Sequence, residues 1–118
     1  MIKSFSDLEI YRLSYKLAID IFNLSKTFPS SEKYSLTDQI IRSTRSISAN
    51  IAEGFGRRTY ISEFRKFLVY SMGSLEETKV WLNFARDCQY ISSEEFDATY
   101  RKADEIGAKI YKLYITWK

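Results

Sequence analysis

Apolar residues recur at steps of three and four along nearly the whole chain, a spacing that places them on single faces of α-helices. One stripe runs Ile10, Leu13, Leu17, Ile21, Leu24, Phe28, with a second, Leu8, Tyr11, Tyr15, Ala18, Phe22, beside it. Tyr34, Leu36, Ile40, Ile47 and Ile51 share the next face, and Phe64, Phe67, Leu68, Leu75, Leu82 and Ala85 the one after it. The last face comprises Phe96, Tyr100, Ala103, Gly107, Ile110, Tyr114 and Trp117. No segment alternates with the period of a strand.

Local signals divide this pattern into four. Ser6-Asp7-Leu8-Glu9 reads as a capping box with Phe5 and Ile10 as its hydrophobic staple, and Pro29 ends the first helix. Ser30 or Ser31 then caps the second, which runs to Gly54-Phe55-Gly56 as its stop; Thr59 caps the third, which breaks near Cys88-Gln89-Tyr90. Ser92-Ser93-Glu94-Glu95 repeats the box, with Ile91 and Phe96 as staple. Helices are therefore expected at about 6–27, 31–54, 60–88 and 93–117. Helices of about 25 residues are about 37 Å long, and short connections between them predict antiparallel neighbours. The expected fold is all-α, an antiparallel up-down-up-down four-helix bundle in one domain, 1–118. Gly73, inside the third helix within Ser71-Met72-Gly73-Ser74, costs ~1 kcal/mol against Ala, and close helix approach is the expected reason.

With 118 residues, 45% of them apolar and nine Tyr, eight Phe and two Trp among them, the chain can bury a core but has no room for a second domain. The lone Cys88 forms no internal disulfide, and no basic start followed by an apolar run marks export, so the expected location is cytoplasmic. No uncharged stretch approaches the ~20 residues of a membrane span. With 18 Lys and Arg against 15 Asp and Glu, the chain is only slightly basic, so any contact with a polyanion must come from local clustering.

The usual parts of a catalytic site are missing. The chain has no His, which removes the common general base and the Glu-x-x-His di-metal pattern of helical bundles. One Cys builds no thiolate zinc site, and neither phosphate-binding glycine loop occurs. Glu53, Glu63, Glu76 and Glu77 would have to converge to hold Mg²⁺, whereas bundle carboxylates mostly face solvent or structural partners. The expectation is a protein that is not an enzyme and uses no cofactor or metal.

Two polar stripes stand out. Gln39, Ser43, Ser46, Asn50 and Glu53 share a face of the second helix; Glu63, Phe67, Tyr70, Ser74, Glu77 and Trp81 share one of the third. If these faces meet, Asn50 or Ser46 can hydrogen-bond Glu77 or Ser74, forming a structural polar layer or, alternatively, the wall of a ligand pocket. Between Arg42 and Lys66, six basic residues (Arg42, Arg45, Arg57, Arg58, Arg65, Lys66) face two acidic ones. Arg57-Arg58 beside Tyr60 suits phosphate binding and base stacking, although arginine near a helix C-terminus also complements the macrodipole. Near the C-terminus, apolar residues fill six of the eight positions 110 to 117, more than one face buries. Ile110, Tyr111, Tyr114, Ile115 and Trp117 are therefore candidates for a homo-oligomer interface, or for contact with a different protein.

The run Ser46-Ile47-Ser48-Ala49-Asn50-Ile51-Ala52-Glu53-Gly54, preceded by Phe28-Pro29, Glu32, Tyr34, Leu36, Gln39-Ile40 and Arg42, resembles the signature of the four-helix-bundle proteins encoded in intervening sequences of bacterial 23S rRNA genes. Glu63-Phe64, Phe67-Leu68 and Gly73-Ser74-Leu75-Glu76-Glu77 extend it, and Phe5, Asp7 and Leu8 match its opening, so the likeness covers nearly the whole chain. Ser43-Thr44 stands where the family often has Arg-Ala, which removes one basic residue from the second helix. The resemblance implies a pentameric, barrel-like assembly without established biochemical activity. It also implies a fold similar to the accessory variability proteins of diversity-generating retroelements, basic pentamers that bind a reverse transcriptase and nucleic acid. Asn50, Glu53, Gly54, Glu76 and Glu77 are the candidates it carries over. The function expected is a non-catalytic homo-oligomeric module binding rRNA, another RNA or an RNA-containing complex; the alternative is a protein-interaction scaffold without nucleic-acid contact.

Overall fold

A computed structural model describes all residues, Met1–Lys118, as four helices: α1 (Glu9–Ser25), α2 (Leu36–Gly56), α3 (Ile61–Asp87) and α4 (Ser93–Thr116). Single 3-10 turns at Phe5–Asp7 and Ser30–Glu32 precede α1 and α2. Each helix packs on its two neighbours in the order α1, α2, α3, α4, with α2 against α3 the most extensive contact and α1 against α4 the slightest. Directions follow from side-chain pairs. Ser71 bonds Ile47, Ser74 bonds Ser46 and Thr78 bonds Ser43, so α3 rises as α2 falls. Lys79 with Asp104 and Arg65 with Tyr114 set α4 against α3, and Asp20 with Lys102 and Glu9 with Lys109 set α1 against α4. All neighbours are antiparallel, and the body measures 44 × 25 × 20 Å.

The core fills the space between the four stripes. Ile21, Ile40, Ile47, Ile51, Phe64, Leu68, Leu82 and Ile110 have no exposed surface, and each such side chain contributes about 1.5–3 kcal/mol on burial. Tyr34 breaks the expected stripe: its ring is 85% exposed, while Leu36 two residues on is buried.

Three of the four helix starts differ from expectation, because neighbouring residues other than the expected caps organise them. The Ser6–Glu9 box does not form. Asp7 instead accepts the backbone amides of Lys3 and Ser4, Leu8 is extended and buried, and Glu9, now the first residue of α1, pairs with Lys109. Neither Ser30 nor Ser31 caps α2, which starts at Leu36, because Glu32 accepts the Ser35 hydroxyl and the Leu36 amide and so organises the turn before it. Thr59 is likewise no cap, since Tyr60 stands at that position in extended conformation. Ser92 does cap α4 as its local sequence predicts: Glu95 N–H donates to Ser92 Oγ at 3.0 Å and Ser92 N–H to Glu95 Oε1 at 2.9 Å. The expected break after α3 is a left-handed turn at Gln89 (φ 64°), with Tyr90 N–H on the Ala85 carbonyl and Gln89 N–H on that of Arg86.

α2 ends at Gly56, within the stop that Gly54-Phe55-Gly56 predicts, and Gly54 in its last turn is also buried, where a Cβ would come 2.5 Å from Phe67 Cβ and 3.1 Å from Phe64 Cδ1. Gly73, expected at a close approach, is exposed, and a Cβ there would meet nothing within 4 Å. Close packing of α2 on α3 rests on Gly54, and of α3 on α4 on Gly107, where the added atom would lie 3.0 Å from Leu75.

Candidate functional site

The two polar stripes do meet, and what joins them is hydroxyls. Ser74 Oγ lies 2.9 Å from Ser46 Oγ, Thr78 Oγ1 lies 2.9 Å from Ser43 Oγ, and Ser71 donates to the Ile47 carbonyl at 2.8 Å. Asn50 folds back along α2 and donates to Ser46 at both its carbonyl (2.8 Å) and its hydroxyl (2.9 Å). Glu77 takes no part. It is exposed and accepts the Trp81 indole N–H at 3.3 Å, while Gln39 is exposed at the start of α2. Ser43, Ser71 and Thr78 are buried and bonded to protein partners, so the layer works as an interhelical lock. The stripe pattern does not single out Ser71 and Thr78 as polar contacts, although both are small hydroxyl residues one helical step from Ser74.

The six basic residues adjacent in sequence do not form one patch. Arg42 and Arg45 project from the middle of α2, where Arg45 lies over the Phe22 ring of α1 at 5.6 Å. Arg57 and Arg58 sit at the end of α2. Arg57 pairs with Glu53 and Glu63, both at 3.3 Å, and lies over Phe67; Arg58 lies 3.9 Å over Phe55 and donates to its carbonyl. Arg65 turns towards α4 and stacks 4.5 Å over Tyr114, its Nε buried without a partner. Lys66 pairs with Glu63 at 2.9 Å, a bond that draws the Glu63 carboxyl below its ordinary range and raises the lysine.

What the fold assembles is larger. The end of the bundle where α1 and α3 begin and α2 and α4 finish gathers Lys3, Arg12, Arg57, Arg58, Arg65, Lys66, Lys109, Lys112 and Lys118, against Asp7, Glu9, Glu53 and Glu63. The opposite end reverses the sign, with Glu32, Asp38, Asp87, Glu94, Glu95 and Asp97 against Lys26, Lys33 and Arg86. Helix dipoles account for much of the acidic end, because α2 and α4 start there. They do not account for Arg12, Arg65 and Lys66, cations in the first two turns of α1 and α3, where the dipole opposes them. Arg12, Lys109 and Lys112 line one 440 Å³ cleft between α1 and α4, a grouping no sequence window contains.

The carboxylates Glu53, Glu63, Glu76 and Glu77 do not converge. Glu53 and Glu63 share Arg57, Glu76 pairs with Lys79, and Glu77 holds Trp81. Of the C-terminal apolar residues, Ile110 is fully buried inside the monomer, and Trp117 packs edge-on against Phe64 at a centroid distance of 4.7 Å. Tyr114 is half-buried beneath Arg65, leaving Tyr111 and Ile115 as the exposed pair. A longer apolar stripe, Tyr15, Ile19 and Phe22, is exposed on α1. No helix is long and apolar enough to cross a membrane.

The sequence pattern of the 23S rRNA-intervening sequence protein family matches residues 6–112. Among solved structures, the chain is similar to a protein of unknown function from the S23 ribosomal protein family of Bacteroides thetaiotaomicron, at a TM-score of 0.82 and 27% identity, with 91% of this chain and 99% of that one covered. No curated protein matches.

Proposed function

The chain belongs to the 23S rRNA-intervening sequence protein family, and on that premise we propose that it is a non-catalytic, homo-oligomeric module of the cytoplasm that binds structured RNA through its basic end. The observation that carries this reading is the accumulation of nine cations against four carboxylates at one end of the bundle, three of the cations placed against the helix dipoles. Phosphate contacts are sequence-independent and need cations in reach, which this end supplies from all four helices and their flanking segments. Arg57, Arg58, Arg65 and Lys66 each lie beside an aromatic ring, so cation and π-face are presented together.

Assembly extends this surface. The exposed stripe of α1 and the pair Tyr111 and Ile115 on α4 supply apolar area for contacts between copies. A pentameric ring, the assembly that the family resemblance implies, would repeat the basic end around its axis.

The test is electrophoretic shift of 23S rRNA fragments at several salt concentrations, with the oligomer sized by sedimentation. Binding weakens steeply with salt, and Arg57→Ala with Arg58→Ala makes that dependence shallower, the log–log slope falling by about one for each phosphate no longer neutralised. Absent or salt-independent binding overturns the reading. A protein-interaction scaffold is then favoured, because the exposed α1 stripe would remain the main recognition feature.

A further inference from the structure

At the opposite, acidic end, a cavity of about 390 Å³ opens between the start of α2 and the last turns of α3. Its walls are aromatic: Tyr34 is 85% and Phe84 53% exposed, and Trp81 stands 6.0 Å from Phe84 with their planes 35° apart. The indole N–H of Trp81 is held by Glu77, which fixes the ring where it lines the opening. Leu36 supplies an apolar floor and Glu32 a carboxylate. The partners of Glu32 are the Ser35 and Tyr90 hydroxyls and the Leu36 amide, none of them a cation. No lysine or arginine lines the cavity; the nearby Lys33 ammonium lies 5.3 Å over the Tyr34 ring, so that ring already attracts positive charge.

We propose that this groove is a docking site for an arginine side chain presented by a basic peptide segment of a partner protein. Arginine fits the chemistry better than lysine. Its planar guanidinium stacks on aromatic faces and is less strongly hydrated than an ammonium, its methylene stem covers an apolar floor, and its free N–H groups reach a carboxylate. The surplus of acidic residues at this end steers such a peptide towards the groove. The groove is independent of RNA binding, which concerns the other end of the bundle.

Cys88, the only thiol of the chain, lies exposed on the cavity wall and reports its occupancy. The probe is a short peptide of alternating glycine and arginine, with glycine–lysine and glycine–glutamate peptides of equal length as comparators. At a concentration about ten times its Kd, the arginine peptide slows alkylation of Cys88 by a small neutral maleimide about tenfold. Tryptophan emission changes with the same midpoint. The lysine peptide binds more weakly and the glutamate peptide does not protect. Tyr34→Ala and Phe84→Ala, both exposed positions, each weaken the arginine peptide about two- to fivefold. Unprotected Cys88, equal affinity for the lysine peptide, or undiminished binding by both variants overturns the proposal.

Discussion

The Tyr90 hydroxyl donates a 2.8 Å hydrogen bond to Glu32 Oε2 across 58 positions of sequence, tying the turn after α3 to the turn before α2. The other oxygen of the same carboxylate receives Ser35 and Leu36, so one side chain both starts α2 and fastens two loops. Hydrogen bonds from Ser35, Tyr90 and Leu36 hold the Glu32 carboxyl below its ordinary value near 4.5, and the bond to Glu32 pushes the Tyr90 hydroxyl up to about 12.

The pH dependence of Tyr90→Phe follows from these directions. A depressed carboxyl stabilises the fold above its unfolded value and loses that contribution as pH falls through the lower folded value. The raised phenol stabilises it below the unfolded value near 10 and loses the contribution as pH rises through about 12. The wild type therefore melts above Tyr90→Phe at neutral pH, and the gap closes on both limbs. Thermal midpoints of the two proteins across pH check this; a constant gap would sink it.

Gly54 and Gly73 respond oppositely to alanine. At Gly73 the added methyl enters open space and gains helix propensity, stabilising the monomer by about 0.5–1 kcal/mol. At Gly54 the same methyl meets the Phe67 Cβ and Phe64, and overpacking of about 1–3 kcal/mol exceeds that gain. Urea unfolding of both variants decides the matter, and equal shifts would contradict the packing described.

Gln89→Gly relieves a left-handed backbone that costs a side-chain-bearing residue about 1–2 kcal/mol. Part of this is offset by the greater freedom of glycine in the unfolded chain, leaving a net gain of about 0.5–1 kcal/mol. Chemical denaturation reads the sign directly.

The hydroxyl lock is tested by a double-mutant cycle on Ser43 and Thr78. Thr78→Val removes the interhelical donor to the buried Ser43 hydroxyl, which keeps only its bond to the Ile40 carbonyl, and costs about 1 kcal/mol, whereas adding Ser43→Ala removes the remaining hydroxyl and recovers part of the loss. Strictly additive effects would mean that the pair is not coupled.

Legibility follows the range of the interaction. The start of α4 is readable because Ser92 and Glu95 satisfy each other three residues apart, and the break at Gln89 because a helix end leaves local traces. The start of α2 is not, since Glu32 answers to Tyr90. The small-residue patch around Gly73 attracts notice, yet only neighbouring side chains reveal that Gly54 is the close approach. Asn50 and Glu77 fall on facing stripes, but the residues that meet are the shorter hydroxyls, whose reach matches the gap between α2 and α3.

Four helices, their order and their core faces were determined by sequence alone, because helix formation and amphipathicity depend on residues three and four apart. Tertiary structure decided which surfaces exist. It left Arg42 and Arg45 midway along α2 while keeping Arg57, Arg58, Arg65 and Lys66 at one end, brought Arg12 and Lys109 from opposite termini to that same end, and set Tyr34 beside Trp81 and Phe84. Antiparallel packing does this by placing the start of one helix against the finish of its neighbour, so that charges far apart in sequence come to share one end.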